Sequence, residues 1–281
     1  MKRTLILVIS LSFFTSLYGQ PVLPTNAEVN AFFNSKTLIV YEGSMFSPYN
    51  IYIKEMVEQY WKITPFEFID YNEFEEKMTD STLSFLVLTD TRFERDKSGI
   101  HYNFINLVLG AKVKTITEMP EIGSLPLSYS NGSEEKYYYK LKVIIRFLQN
   151  RAMELRDQPV TSSMKYLKYY NKNRHDINLN TLLIVENDLS YEAGSSEVIS
   201  KYYLNTIRVI SDDELEKAIT DDEDALFLHY VGPEEKKSKG WAFKMIFGIS
   251  NGQLFYYDRH TISDKKPGGF LLDDFKRISK N

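Results

Sequence analysis

The sequence contains no cysteine, and that absence excludes several kinds of site at once. Disulfide bonds, thiolate nucleophiles, cysteine-bound zinc and a lipid on an N-terminal cysteine all require a thiol. A chain without disulfides must therefore be stabilised by its hydrophobic core alone. The chain has 281 residues, which is long enough for two units that each bury a core of useful size.

Motifs that mark catalysis or cofactor binding are also missing. The four histidines lack metal-binding spacings such as His-x-x-x-His: His101, His175, His229 and His260. The chain has no Gly-x-Gly-x-x-Gly motif and no phosphate-binding loop. Ser44, Ser195 and Ser196 lie close after a glycine, but none lies in the Gly-x-Ser-x-Gly turn of a serine hydrolase. We therefore predict no metal and no cofactor, and we favour a non-enzymatic protein.

An excess of basic residues is absent too, which argues against binding to nucleic acid. The chain has 34 Lys and Arg against 38 Asp and Glu, a net charge of −4. The charge is uneven, because residues 134–174 carry ten basic and four acidic side chains, whereas residues 211–224 carry eight acidic side chains and one Lys. Such blocks are usually solvated helix faces. A contact between the two blocks, within one chain or between chains, is the alternative.

The N-terminus has the pattern of a secretory signal. Lys2 and Arg3 precede an apolar run over Leu5–Phe14, and Gly19 ends the segment with a small residue. The run is too short to span a bilayer, and no later stretch approaches that length. The pattern predicts a signal peptide over residues 1–19 and a mature chain without a transmembrane segment. We expect a periplasmic or secreted protein.

The rest of the chain contains an internal repeat of one α/β unit. The segment Ile69–Asp80 aligns without a gap on Ile210–Asp221, and Thr37–Glu42 aligns on Thr181–Glu186. The alignment predicts an N-terminal extension over residues 20–36 and two repeats. The repeats span residues 37–157 and 178–281, and a linker over residues 158–177 contains a short basic, Tyr-rich helix.

Each repeat has the element order β-α-β-α-β-β-β-α, which predicts an α/β fold with a mixed sheet flanked by helices. The first three strands are joined by helices and should be parallel, and the last two form an antiparallel hairpin. In the first repeat the fifth strand is predicted over Val113–Thr117. In the second repeat the first helix is predicted over Ser195–Tyr203, and Asn251-Gly252 marks the hairpin. Ser211 with Glu214 forms a capping box.

The second repeat resembles known envelope domains in the order of its elements. Ile207–Leu215 is a strand that enters a capped helix, Ala225–Leu228 is a further strand, and Asn251-Gly252 follows. This order resembles the small α/β domain at the amino end of the periplasmic Tol–Pal translocation protein. It is also similar to the core of the curli secretion channel lipoprotein and to lipoprotein activators of cell-wall synthases.

The resemblance implies an envelope-associated interaction domain without catalysis. The chain departs from these families because it lacks the lipid-anchor cysteine of two of them and the trailing propeller of the first. Its Tyr- and Phe-rich composition, together with the signal segment, also resembles exported proteins of the Bacteroidota.

Tyrosines in consecutive positions predict an interaction surface, since neighbours on a helix or strand cannot all point inward. Exposed tyrosines are common in protein interfaces. The candidate surface lies on the helix that begins near Glu134 and on the Tyr-rich linker helix, with six residues: Tyr137, Tyr138, Lys140, Arg146, Tyr169 and Tyr170. We expect it to bind an envelope protein or glycan of unknown identity. A structural subunit that assembles through its two charge blocks is a third reading.

Strand ends provide an alternative site. Glu186 and Asp188 follow the first strand of the second repeat, and His229 ends its third strand. Ligands bind at such ends in open α/β sheets, so these three residues predict a hydrolase or a small-ligand-binding protein. The structural alternative is a solvated loop with a histidine packed at the sheet end. In the first repeat, Leu88 stands where the second has His229, so the site is not duplicated.

Overall fold

The computed structural model describes residues 22–43, 47–93, 98–129, 134–158, 168–237 and 239–280. The predicted signal peptide lies outside these residues. The first repeat and the segment before it contain α1 (Asn26–Asn34), β1 (Lys36–Val40), α2 (Pro48–Tyr60), β2 (Phe66–Ile69), α3 (Tyr71–Lys77), β3 (Leu83–Thr91), β4 (Tyr102–Leu109), β5 (Glu121–Tyr129), α4 (Glu135–Tyr138) and α5 (Leu141–Asp157). The second contains β6 (Leu182–Val185), α6 (Ser196–Ile199), β7 (Ile207–Ile210), α7 (Asp212–Thr220), β8 (Leu226–Val231), β9 (Trp241–Gly248), β10 (Leu254–Thr261) and α8 (Leu272–Ile278). None of the helices within these ranges is long and apolar enough to cross a bilayer.

The two sheets have the same strand order, which confirms the predicted α/β fold with two similar units. The order is β2-β1-β3-β4-β5 in the first sheet and β7-β6-β8-β9-β10 in the second. In each sheet the first strand of the repeat lies between the second and the third strands and pairs in parallel with both. The last three strands of each sheet are antiparallel.

Equivalent helices begin with equivalent caps. Asp70 accepts a hydrogen bond from the Glu73 amide at the start of α3, and Ser211 does the same for Glu214 at the start of α7. In both boxes the glutamate side chain returns to the backbone of the cap residue. Capping boxes satisfy amides that the first turn of a helix leaves unpaired. The aligned sequences of the repeats thus encode the same local chemistry.

Two predicted elements are wrong in detail. The fifth strand of the first sheet is Glu121–Tyr129 and not Val113–Thr117. It contains Pro126, which suppresses the sequence signal for a strand, but this strand lies at the sheet edge, where proline is tolerated. In the second repeat the helix predicted over Ser195–Tyr203 is reduced to the single turn of α6.

Helix α5 joins the two repeats into one core. Its residues are buried around most of its circumference, which is typical of a helix inside a protein: Leu141, Val143, Ile144, Ile145, Phe147, Leu148, Ala152 and Leu155. The Phe147 ring lies 5.9 Å from the Phe247 ring of the second sheet. One continuous cluster of buried side chains accordingly includes residues of both repeats.

The basic and acidic blocks meet within the chain. Lys142 Nζ donates hydrogen bonds to the carbonyl oxygens of Ile219 at 2.7 Å and Thr220 at 2.9 Å, at the end of α7. It also lies 3.0 Å from the Asp222 carboxylate, to which Arg146 donates. A cation at a helix C-terminus compensates the unpaired carbonyls and the negative end of the helix dipole. The contact between the blocks, which the sequence offers only as the alternative to solvated helix faces, is therefore present within the chain.

Candidate functional site

The predicted interaction surface is largely buried between the repeats. Tyr137, Tyr138 and Tyr170 are 3%, 4% and 2% exposed, so the expectation that they are exposed is wrong. Tyr137 packs edge-on against the His229 ring at 5.9 Å, and Tyr138 against the Tyr49 ring at 5.8 Å. The sequence predicts Tyr137 and Tyr138 on the exposed face of a helix that begins near Glu134, whereas they belong to the short α4 and contact both repeats.

The other three residues of that surface also make contacts within the chain. Tyr169 is half-buried, and the Arg151 guanidinium lies 4.0 Å from the centre of its ring. Arg146 binds Asp222, as described above. Lys140 is only 2% exposed and lies beside a cavity between the repeats. Binding of an envelope partner stays a prediction, but these residues do not offer it a continuous exposed surface.

The alternative site residues do not converge as predicted. Glu186 is exposed, whereas His229 is fully buried, and its Nε2 lies 3.3 Å from the Pro126 carbonyl oxygen of β5. Burial lowers the pKa of His229 well below its ordinary value, and the Lys140 charge lowers it further. His229 packs behind Tyr137 and is not among the described residues that line the cavity. Asp188 is the one member of this set that lines it.

The cavity lies at the carboxyl ends of β6 and β8. The two strands are neighbours in the sheet, and the chain leaves β6 toward β7 on the opposite side, so this is the topological switch point where open α/β sheets bind ligands. The cavity has a volume of about 210 Å³ and is lined by both repeats: Lys136, Tyr137, Lys140, Val185, Asn187, Asp188, Asp212, Tyr230, Gly232, Glu234 and Lys236. Clefts between units of a protein are frequent ligand sites.

Asp188 is one of three acidic residues that line this cavity, with Asp212 and Glu234. Its Oδ2 atom is buried and has no hydrogen-bond partner among the described residues. Burial raises the pKa of Asp188, and the nearby ammonium groups of Lys140 and Lys236 oppose that rise. The backbone is fixed nearby, because the Asp188 carbonyl oxygen accepts a hydrogen bond of 2.8 Å from the Phe270 amide.

Lys140 is the most deeply buried basic group of the cavity. Its Nζ lies 5.3 Å from the centre of the Tyr137 ring and 5.4 Å from that of Tyr139. No carboxylate in the described parts of the chain forms a salt bridge with it. Burial lowers the pKa of Lys140, whereas the charges of Asp188 and Asp212 raise it. The two aromatic faces supply partial compensation for a buried cation.

A second buried lysine lines the cavity, and an ion pair lies at its more exposed edge. Lys236 is 8% exposed and donates to the Asn187 carbonyl oxygen, and its burial lowers its pKa. Lys136 and Glu234 form a salt bridge in the more exposed part of the lining. Sequence reasoning missed Lys236, although its position shortly after the third strand of the repeat is a signal that could have identified it.

The arrangement can hold a polar molecule by both of its charges. Asp188 offers an acceptor, and Lys140 and Lys236 offer donors, yet no salt bridge joins Asp188 to either lysine. A buried charge without a close partner is costly, so a group that fills the gap between them is stabilised. No histidine belongs to the described lining, and the hydrolase reading stays a prediction.

The remaining candidate groups are used elsewhere in the structure. His101 Nδ1 lies 2.8 Å from Asp90, and His260 Nε2 lies 2.9 Å from the Pro267 carbonyl oxygen. Ser195 caps α6, and Ser44 lies outside the described residues. In the part of the chain that the structure describes, no group of three ligating side chains could hold a metal ion.

Comparison with known proteins adds no assignment to this geometry. No model of a protein family, no curated protein and no solved structure matches the chain.

Proposed function

We propose that the protein binds a small polar molecule in the cavity between its repeats. The observation that carries the proposal is that Asp188 and Lys140 line one cavity and form no salt bridge with each other. The cavity volume of about 210 Å³ is well above the roughly 10–15 Å³ that one water molecule needs, so it admits a small molecule.

The charges select the class of ligand. Asp188 requires a donor, such as an ammonium or hydroxyl group, and Lys140 with Lys236 favours an anionic group. A zwitterion that carries an amino group and a carboxylate or phosphate provides both. Tyr137 supplies an apolar wall beside these groups. Such recognition requires no chemical step, in keeping with a binding protein.

Export remains part of the proposal. The basic and apolar pattern of residues 1–19 supports export to the periplasm or the exterior. Fractionation of cells that produce the tagged full chain tests this. The tag is expected outside the cytoplasm, with residues 1–19 removed.

A second candidate function is the envelope interaction module that the resemblance implies. Leu179 and Leu204 are 74% and 82% exposed, and a hydrogen bond from the Tyr203 hydroxyl to the Asn180 carbonyl oxygen joins the two segments that carry them. Exposed leucines of this kind favour a partner surface on the second repeat. Crosslinking in cells tests it, since the Leu179→Ser and Leu204→Ser variants should lose the crosslinked partner.

A thermal-shift screen tests the proposed ligand binding. The probes are the common amino acids, taurine and phosphoethanolamine, and at least one is expected to raise the melting temperature of the wild type. The same probe should have no effect on the Asp188→Asn and Lys140→Met variants. Asp213→Asn, on the exposed first turn of α7, is the matched control and should respond like the wild type. An equal response of all four proteins would exclude this site.

A further inference from the structure

A second cavity lies where the first sheet meets the second repeat. It has a volume of about 260 Å³, and residues of β3, β4 and β5 of the first sheet and of β10 of the second line it. Val108 of its lining shares a buried cluster with Phe74 of α3. The cavity therefore lies on the face of the first sheet that α3 covers, and next to the second repeat.

The walls of this cavity are mainly apolar. Phe93, Phe104 and Met119 line it from the first repeat, and Tyr257 lines it from the second. The polar floor of the cavity consists of Asn106, Thr89 and Ser124, and these side chains hydrogen-bond to one another. Asn106 Nδ2 donates to Thr89 at 2.9 Å, and Asn106 Oδ1 accepts from Ser124 at 2.7 Å. A ligand need not supply hydrogen bonds to this floor, so the floor tolerates an apolar group.

A basic side chain supplies the charge at this cavity. The exposed Arg259 lies with its guanidinium 5.3 Å from the centre of the Trp241 ring. No salt bridge joins it to a carboxylate of the described residues. Glu121 is the acidic residue of the described lining, and it already has a polar or electrostatic partner within the protein. Within the described lining, the guanidinium is thus the positive charge that a ligand can reach.

We infer that this cavity is a second binding site, for a small carboxylate that carries an apolar chain or ring. The apolar group packs against Phe93 and Phe104, and the carboxylate pairs with Arg259. Arginine is suited to this role because its planar fork matches the two oxygens of a carboxylate. Ligand sites of this kind are concave, mostly apolar and carry few polar groups.

Displacement of a fluorescent probe tests the inference. The probe 1-anilinonaphthalene-8-sulfonate combines rings with an anionic group and should fluoresce on the folded wild type. Octanoate and 4-phenylbutyrate should displace it, whereas octanol should displace it at least about tenfold less well. Equal displacement by octanol, or no probe binding to the folded protein, would overturn the inference.

Two variants locate the site. Arg259→Met should weaken octanoate binding about tenfold, whereas Arg208→Met on the distant edge strand β7 should not change it. Thr91→Trp should fill the cavity and abolish probe binding, with an unchanged melting temperature as evidence of folding. If octanoate binds Arg259→Met as it binds the wild type, the proposed carboxylate site is wrong. The Asp188→Asn variant should bind octanoate normally, which separates this site from the proposed zwitterion site.

Discussion

At the scale of single residues, Asp188 and Lys140 carry charges that the described structure leaves without a close partner of opposite sign. Proteins usually pair buried charges, and those that stay unpaired cluster at functional sites. The sequence could predict Asp188, because it follows a strand at the edge where ligands bind. It could not predict Lys140 as its neighbour, because that contact depends on how the two repeats pack.

Removal of the Asp188 charge should stabilise the protein when no ligand is present. Burial raises the pKa of Asp188, so the folded state disfavours the carboxylate relative to the unfolded chain. That penalty applies above the raised pKa and fades as the pH falls toward the ordinary value. We expect Asp188→Asn to raise the free energy of unfolding by about 1 kcal/mol at pH 8, and by less at pH 4.

Urea denaturation at the two pH values checks this expectation, with Asp213→Asn as the control. A loss of stability in Asp188→Asn at pH 8 would mean that the carboxylate is well paired in the free protein. The argument for a ligand would then lose its main support.

At the scale of elements, equivalent helix caps stabilise the two repeats, and Lys142 of α5 contacts the end of α7. The equal spacing of Asp70 with Glu73 and of Ser211 with Glu214 could be read from the sequence, and both boxes are present. Strand β5 was missed because Pro126 disrupts the strand pattern, and α4 was misjudged because the sequence does not tell which side of a helix faces another unit.

The two capping boxes should contribute similar amounts of stability. Loss of a cap side chain typically costs about 0.5–2 kcal/mol, since backbone amides of the first turn lose their acceptor. We expect Asp70→Ala and Ser211→Ala each to lower the free energy of unfolding within that range, as measured by urea denaturation. A change below experimental error in either variant would contradict an equivalent role for the caps.

Lys142 should contribute more than a surface lysine because it is buried and serves the carbonyl end of α7. Its side chain donates two hydrogen bonds there and contacts Asp222. Lys142→Met is expected to lower the free energy of unfolding by about 1.5–3 kcal/mol, a range typical of hydrogen bonds from a charged group. Lys217→Met, on the exposed side of the same helix, is the control and should change it by less than about 0.5 kcal/mol. Equal effects of the two variants would contradict the proposed role of Lys142.

At the scale of the whole molecule, the repeats share a core. The sequence predicts two sheets of the same kind, and the structure confirms them. The sequence did not predict that the tyrosines near residue 138 pack between the repeats. A contact surface between two repeats and a surface that binds another protein have similar compositions. Both cavities arise at this shared contact, so neither could be located from one repeat alone.

The shared core predicts that the two repeats unfold together. Buried residues of both belong to one cluster, and α5 contributes to it along most of its length. Scanning calorimetry should give a single transition whose calorimetric and van't Hoff enthalpies agree. Two separate transitions in the wild type would show that the repeats are independent units.

The measurement that tests the central claim most directly is calorimetric titration of the wild type with the strongest zwitterion from the thermal-shift screen. We predict one molecule bound per chain, binding at least about tenfold weaker in Asp188→Asn and Lys140→Met, and unchanged affinity in Asp213→Asn. Wild-type affinity in both site variants, or no binding of any zwitterion to the folded wild type, would contradict the proposal that the cavity between the repeats is a ligand site.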